Sequence, residues 1–127
     1  MSKSPFAFDP VRTEKPWGYE LLWAHADDYV GKILFVRAGH SLSLQYHERK
    51  DEAWLVQSGR ASLELSTFGD DTTHHTIEIA AGDAFRFRPG TVHRVTAIDD
   101  TTILEASTPH LDDVVRLEDR YGRADPA

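Results

Sequence analysis

Both the fold and the candidate site are predicted most clearly by residues 39–52, which run Gly-His-Ser-Leu-Ser-Leu-Gln-Tyr-His-Glu-Arg-Lys-Asp-Glu. Gln45 and His47 are two residues apart, so on a β-strand their side chains point to the same side. A short polar turn follows, and a hairpin there brings Glu52 back beside His47. His93 lies much later in the chain, in the stretch Arg-Pro-Gly-Thr-Val-His (88–93). Oxygen and imidazole ligands of this kind suit one divalent metal ion, so we predict a metal site formed by Gln45, His47, Glu52 and His93.

Composition and charge limit the class of protein. The chain has 127 residues, of which 40% are hydrophobic and 28% charged, the balance expected of one globular domain. It contains no cysteine, which excludes disulfides and thiolate ligands and is compatible with a cytoplasmic location. No apolar stretch approaches the length of a membrane span. A net charge of −7 argues against nucleic acid or an anionic membrane as partner. A small-molecule partner is predicted instead, and an anionic one needs a local cluster of Arg or Lys.

Short strand-like segments follow one another along most of the chain. Their predicted bounds are 18–24, 29–38, 41–47, 52–58, 60–67, 74–80, 83–88, 91–98 and 101–107. Turn residues separate them, and many short strands at even spacing indicate an antiparallel sandwich or barrel. We therefore predict a single all-β domain over residues 16–123, preceded by an irregular N-terminal arm (1–15) and followed by a short tail (124–127). A helical period is weak everywhere except over residues 111–120, so the C-terminal part is expected to be helical or irregular.

Two further expectations concern ordinary structural roles. The large aromatic residues Trp17, Trp23, Trp54, Phe35, Phe85 and Phe87 are predicted to lie in the core, because a small barrel needs the apolar area that they bury. The charged run from Asp112 to Arg123 is, on composition alone, a solvated amphipathic tail.

The spacing of the ligand residues resembles the two signature stretches of the cupin superfamily. Five residues fall on the first stretch without a gap, with Gln45 where that family most often has histidine: Gly39, Gln45, His47, Glu52 and Gly59. The second stretch is represented by Gly82, Pro89, Gly90 and His93, with Pro89 directly before Gly90 instead of one residue earlier. The resemblance implies a jelly-roll barrel, also called a double-stranded β-helix. It also implies a homodimer in which residues 1–15 add to the partner's sheet.

A closer resemblance is to the cupin of type II mannose-6-phosphate isomerase. It rests on residues 15–20 (Lys-Pro-Trp-Gly-Tyr-Glu), 42–47, 52–54, 58–59 and 92–94, and on the ending Asp-Asp-Val-Val-Arg-Leu-Glu-Asp-Arg-Tyr-Gly-Arg (112–123). In that family the cupin is usually the C-terminal part of an enzyme that also carries mannose-1-phosphate guanylyltransferase, a part that this sequence lacks. Glu48 and Arg49 stand where the family often has further histidines. The resemblance implies a metal-dependent isomerase of a sugar phosphate, mannose 6-phosphate or a relative.

This chemistry assigns further candidate residues. Aldose–ketose isomerisation moves a proton between C1 and C2, and a metal ion stabilises the developing negative charge. Two His, one Glu and one Gln leave a divalent ion net positive, which suits zinc, manganese, nickel, cobalt or iron(II). Lys32, which matches a lysine of the resembled family, and Glu105 are the predicted proton carriers, with metal-bound water as another option. Arg94 is a third catalytic candidate, and with Lys50 and Arg88 it is a cation available to bind a substrate phosphate.

Three other functions stay open on the sequence. A small cupin can bind a sugar or metabolite without turning it over, and the changed residues Glu48 and Arg49 favour this reading. An iron-dependent dioxygenase would use the open metal position, although Gln45 in place of a histidine disfavours oxygen chemistry. A metal-free sugar epimerase is a further relative, and the intact ligand set argues against it.

Overall fold

The computed structural model describes residues 4–125 and consists of β-strands joined by turns. The strands are β1 (Val11–Lys15), β2 (Gly18–His25), β3 (Val30–Val36), β4 (Leu44–Tyr46), β5 (Glu52–Ser58), β6 (Arg60–Thr67), β7 (Asp70–Ala80), β8 (Ala84–Phe87), β9 (Thr91–Ala97), β10 (Thr101–Ser107) and β11 (Val115–Glu118). They form a six-stranded sheet, in the order β1-β2-β3-β10-β5-β8, and a five-stranded sheet, in the order β11-β4-β9-β6-β7. Every strand pair is antiparallel. The all-β prediction is confirmed.

Alternation along the strands places the core between the two sheets. On β5, Trp54 and Val56 are buried while Leu55 between them is 42% exposed. The five-stranded sheet turns its own apolar side chains to the same interior, as Leu63 of β6 and Val95 of β9 show. Each strand thus has one inner and one outer surface, and successive residues along the strand alternate between them.

Strand register aligns the polar residues of the interior in two rows. In the six-stranded sheet, Glu105 of β10 is the partner of Lys32 on one side and of Trp54 on the other. In the five-stranded sheet, Gln45 of β4 is the partner of His93 on one side and of Arg116 on the other. Directly paired residues on one face have Cβ atoms about 5 Å apart, so the members of each row are close neighbours.

Gly59 makes the tight turn between β5 and β6. Its φ is +91°, a conformation that L side chains rarely adopt. A Cβ atom there would lie 2.2 Å from the backbone oxygen of Asp100. Glycine is therefore required at the position that closes the first cupin stretch.

Both ends of the domain contain strands that the sequence pattern did not predict. Val11–Lys15 is a strand rather than part of an irregular arm, because it pairs along its whole length with β2. Arg12 also lies over the Tyr19 ring, 3.9 Å from its centroid. The predicted helical period at 111–120 is wrong, since Val115–Glu118 pairs with β4. No helix occurs among residues 4–125, so none there is long and apolar enough to cross a membrane. Residues 1–3 and 126–127 of the predicted arm and tail lie outside the described part of the chain.

The aromatic residues divide between the two surfaces. Trp17, Trp54 and Phe87 lie in the core as predicted, and Phe85 packs against it. The prediction is wrong for Trp23, which is 47% exposed, because its neighbour Ala24 takes the inner position. It is also wrong for Phe35, which stacks on Tyr19 outside the core cluster.

Candidate metal centre

His47, Glu52 and His93 meet on the inner surface between the two sheets. His47 directly follows β4, Glu52 opens β5, and His93 lies within β9. Each residue offers one ligand atom, and these atoms all lie within 4.8 Å of one another. Glu52 Oε2 is 2.7 Å from His47 Nε2 and 4.0 Å from His93 Nε2. All three side chains are buried. We call these three residues the metal cluster.

The hydrogen bonds of the two histidines fix which nitrogen is free. His47 Nδ1 bonds to the backbone carbonyl of Asp113, and His93 Nδ1 to that of Thr91. A carbonyl oxygen can only accept, so each Nδ1 carries the proton and donates it. Each Nε2 consequently presents a lone pair towards the centre of the cluster, which is how metal-binding imidazoles are usually oriented.

Glu52 is held in a similar way. Its Oε1 accepts a hydrogen bond of 2.7 Å from the indole nitrogen of Trp54, which leaves Oε2 directed at the histidines. Glu52 Oε2 and both Nε2 atoms are buried without a hydrogen-bond partner among the described residues. Buried polar atoms without partners are costly, and a lone pair 2.7 Å from a carboxylate oxygen is repulsive unless a cation lies nearby. The three residues therefore fit a divalent metal ion.

The pKa shifts of His93 and Glu52 favour the protonation states that a metal-binding site needs. Burial lowers the pKa of His93, which favours the neutral imidazole that a metal ion requires. Burial by itself raises the pKa of Glu52, but the close imidazole of His47, with His93 and the Lys50 ammonium nearby, outweighs burial. These groups hold the Glu52 pKa below its ordinary value. Glu52 is therefore an ionised carboxylate at neutral pH, the form that a metal ligand requires.

Gln45 lies beside this cluster. Its register places it next to His93 on the inner surface, as the alternation predicts. Its Oε1 accepts a hydrogen bond of 2.6 Å from the Ser43 hydroxyl. The geometric cluster itself contains two histidines and one glutamate, and the role of Gln45 as a fourth ligand stays a prediction.

An aromatic group supports His93 from the interior. The Phe87 ring stacks on the imidazole with centroids 4.3 Å apart. Trp54 meets the same imidazole edge-on, with centroids 5.5 Å apart. Together with the Thr91 bond, these contacts hold the ring in one orientation.

Three of the predicted catalytic and substrate residues line the cavity beside the metal cluster, where they form three ion pairs. The Lys50 ammonium is 3.7 Å from Glu52 Oε2 and 3.0 Å from Glu105 Oε2. Burial lowers the pKa of Lys50, but Glu105 and Glu52 outweigh burial and hold it above its ordinary value. Lys32 pairs with Glu20 at 2.9 Å. Lys32, Lys50 and Glu105 are all buried and line the same cavity.

Arg94 and Arg88 lie elsewhere. Since His93 faces inward on β9, Arg94 faces outward, where it bonds to Glu64 at 2.6 and 2.9 Å and to Glu118 at 3.3 Å. Arg88 is exposed in the turn after β8 and does not line the cavity. The structure therefore does not bring these two arginines to the metal cluster.

The C-terminal segment contributes residues that composition did not suggest. Asp113 accepts hydrogen bonds from the backbone N–H groups of Glu48, Arg49 and Lys50, at 3.2, 2.7 and 2.8 Å. Burial raises the pKa of Asp113, but these three donors hold it below its ordinary value. The expectation of a solvated tail is wrong here, because Asp113 fixes the turn that follows His47. The match of this ending to the isomerase family was the available signal.

The cavity beside the metal cluster has a volume of about 300 Å³. Both sheets and the C-terminal segment line it: Lys15, Trp17, Glu20, Leu22, Lys32, Leu34, Leu42, Ser43, Gln45, His47, Lys50, Glu52, Trp54, Glu105, Leu111, Asp112, Val114, Arg116 and Arg123. This volume is at the lower end of the range for small-molecule sites.

A two-sheet jelly roll with two histidines and a glutamate gathered on its inner surface is a cupin, and solved structures agree. KdgF from Halomonas sp. has a TM-score of 0.66 at 23% identity, covering 83% of this chain and 91% of that one. Oxalate decarboxylase from Bacillus subtilis, which has Mn(II) centres, has a TM-score of 0.71 at 20% identity, covering 84% of this chain and 29% of that one. At these identities the likeness shows the fold alone.

The family is shown at the sequence level. Residues 10–119 match the mannose-6-phosphate isomerase C-terminal family, and the chain belongs to that family. Mannose-1-phosphate guanylyltransferase ManC of Salmonella typhimurium is 32% identical over 114 residues, which cover 86% of this chain and 22% of that protein. The chain thus spans about a fifth of the length of the curated relatives that it matches. The predicted resemblance to this cupin family is confirmed.

Proposed function

We propose that the chain is a metal-dependent aldose–ketose isomerase acting on mannose 6-phosphate or a related sugar phosphate. The observation that carries the proposal is the arrangement of one cavity. Its wall includes His47 and Glu52, whose unpartnered ligand atoms lie with that of His93 just behind them, and the buried pair of Lys50 and Glu105. Isomerisation needs charge stabilisation and proton transfer at adjacent carbons, and these two groups supply both functions side by side.

His47, Glu52 and His93 would hold the ion, with Gln45 as the proposed fourth ligand. A divalent ion bound there supplies Lewis-acid stabilisation of negative charge on the substrate oxygens. Glu105 is the proposed base that removes a proton from one carbon and returns it to the next. Its Oε2 accepts hydrogen bonds from Ser107 at 3.0 Å and from Lys50, which orient the carboxylate in the cavity wall. Lys32 occupies the next position in the same row and is the second proposed proton carrier.

A direct assay tests this proposal. The purified chain, reconstituted separately with zinc, manganese, nickel, cobalt and iron(II), is given mannose 6-phosphate, and fructose 6-phosphate is measured. We expect turnover with at least one metal and a loss in kcat of about 100-fold or more for Glu105→Gln, the usual effect of removing a general base. Glu78→Gln, on the exposed part of β7, is the matched control and should keep full activity. Absence of turnover with every metal would rule out the assignment.

A non-catalytic sugar-binding module is the second candidate. The observation that favours it is that both proposed proton carriers are already in ion pairs, Lys32 with Glu20 and Glu105 with Lys50. In this case the metal-loaded chain binds mannose 6-phosphate and gains thermal stability without forming product. Product formation would exclude the binding module.

We also propose that the chain forms a homodimer in the cytoplasm. On the outer surface of the six-stranded sheet, Trp23 is 47% exposed and Leu55 is 42% exposed, and a second copy of the chain would cover them. Light scattering after size exclusion should give twice the mass of one chain, and Trp23→Arg should give the monomer. Phe68→Arg, which changes a residue 53% exposed at the tip between β6 and β7, is the control and should stay dimeric. A monomeric wild-type chain would contradict the proposal.

A further inference from the structure

The inner cavity is lined by more cationic side chains than the metal cluster and the proton carriers use. Three of the five have carboxylate partners: Lys32 with Glu20 at 2.9 Å, Lys50 with Glu105 at 3.0 Å, and Arg123 with Asp119 at 2.8 Å. Lys15 and Arg116 also line the cavity, and within residues 4–125 neither forms an ion pair. The local cluster of cations that an anionic ligand requires in a chain of net charge −7 is therefore present here.

Of these two residues, Arg116 provides the stronger evidence for an anion-binding site. It is the register partner of Gln45, which is in turn the register partner of His93. Its side chain consequently lies on the same surface as the metal cluster, two strands away from His93. Its Nε is buried and has no hydrogen-bond partner among the described residues. Because Arg116 lines the cavity, a ligand bound there can supply the hydrogen-bond acceptor that this nitrogen lacks.

The backbone that carries Arg116 is held firmly. Its N–H donates to Asp125 Oδ2 at 2.8 Å, and its carbonyl accepts from the N–H of Asp125 at 2.9 Å. These two bonds, together with the pairing to β4, fix where the side chain starts. A binding group on a fixed strand loses less conformational entropy when its ligand arrives.

We propose that Arg116, assisted by Lys15, binds the oxyanion of the substrate, a phosphate or a carboxylate, while the metal cluster binds the reacting oxygens. The proposal rests on the proposed function for the identity of the sugar but not for the existence of the site. The guanidinium offers two parallel N–H donors, which match two oxygens of a phosphate or carboxylate. Lys15 reaches the same cavity from β1 on the opposite sheet and adds a second positive charge. Asp112 also lines the cavity, but it is exposed.

This assignment differs from the sequence expectation for phosphate binding. Lys50 is neutralised by Glu52 and Glu105, and Arg88 lies outside the cavity. Arg116 is an orienting residue, since it holds the substrate at a distance from the reacting carbons. Its loss should therefore raise KM much more than it lowers kcat.

Calorimetric titration of the metal-loaded full chain tests the inference. The probes are mannose 6-phosphate, mannose and glucuronate, and the variants are Arg116→Gln, Arg116→Lys and the control Arg88→Gln. Arg116→Gln should bind mannose 6-phosphate about 10- to 100-fold more weakly, the effect expected from losing charge-assisted hydrogen bonds. Arg116→Lys should lose less, because it keeps the charge, and it carries the test if Arg116→Gln does not fold. Arg88→Gln should bind as wild type does, and the affinity for mannose should be the same in all variants.

The outcomes separate this inference from the isomerase proposal. Binding that depends on Arg116 without any turnover supports the oxyanion site and contradicts the isomerase. A wild-type preference for glucuronate that Arg116→Gln abolishes supports the site with a carboxylate as its ligand. Turnover with an unchanged KM in Arg116→Gln overturns the site and leaves the isomerase standing. A wild-type chain that binds mannose as tightly as both anions also overturns the site.

Discussion

His93 and Arg94 are neighbours on β9, yet they belong to two very different surfaces. On the outer surface, Arg94 is matched by Glu64 and Glu118, and the cleft there has a volume of about 650 Å³. On the inner surface the cavity is about 300 Å³, but His93 Nε2 and Arg116 Nε are buried without partners. The larger opening is thus the one whose arginine is already paired. Polar atoms left without partners, rather than cavity size, mark where a ligand belongs.

The largest effect is expected when one carboxylate on each surface is replaced by an amide. Glu52→Gln removes the charge of the buried ligand, and we expect metal affinity to fall more than about 100-fold, because even indirect supports of metal ligands are worth 10- to 100-fold. Competition with a chromophoric chelator measures the affinity. Glu64→Gln removes a carboxylate of the outer surface and should leave metal affinity unchanged. Equal affinities in the two variants would contradict the contrast.

Two tryptophans offer a second comparison between the inner and outer surfaces. Trp54→Phe removes the indole N–H that holds Glu52 Oε1 while keeping an aromatic ring in the core. We expect metal affinity to fall about 10- to 100-fold. Trp23→Phe is the matched control on the outer surface and should bind metal as the wild-type chain does. If Trp54→Phe retained full affinity, the indole bond would have no part in positioning the ligand.

The sequence was sufficient to predict which side chains share one face of a strand, because this depends only on the alternation of neighbouring residues. Gln45 and His47 share a face because the side-chain period of a strand is two, and the same rule separates His93 from Arg94. Applied to the predicted ligand His93, that rule already puts Arg94 on the opposite face, so its proposed catalytic role conflicted with the alternation. Val11–Lys15 pairs with β2 across a local turn, but its side chains are almost all exposed, so it has no alternation of apolar and polar residues to reveal a strand. The pairing of β11 with β4 depends on distant register, so Val115–Glu118 was missed. The same limit hid Arg116, whose place beside Gln45 is fixed by the partner strand.

Asp113 tests how far the C-terminal segment supports the inner surface. Asp113→Ala removes three hydrogen bonds to the backbone of residues 48–50, and we expect a loss of about 2 kcal/mol in the free energy of unfolding, near the middle of the range for bonds to a charged group. Chemical denaturation measures it. Asp112→Ala changes an exposed neighbour and should cost much less. Similar losses in both variants would show that the segment is a solvated tail after all.

The smallest predicted effect is the pH dependence of the metal-free chain. Because burial lowers the pKa of His93, the unfolded chain binds a proton that the folded chain does not, in the range below about pH 6.5 and above the lowered value. Stability should therefore fall as the pH falls through this range, by at most about 1.4 kcal/mol per pH unit from this group. Denaturation of the chelator-treated chain at several pH values measures the slope. His93→Gln should have a shallower slope, whereas His75→Gln, at an exposed position of β7, should keep the wild-type one. A wild-type slope in His93→Gln would show that His93 is not the group that titrates.

The central claim is that the unpartnered atoms of the inner surface hold one metal ion. Elemental analysis of the reconstituted wild-type chain, His93→Ala and Arg94→Ala tests it most directly, with circular dichroism to show that each is folded. We predict about one divalent ion per chain in the wild type and in Arg94→Ala, and almost none in His93→Ala, as a site with several protein ligands requires. Metal retained in folded His93→Ala, or a wild-type chain that takes up no ion, would contradict the account.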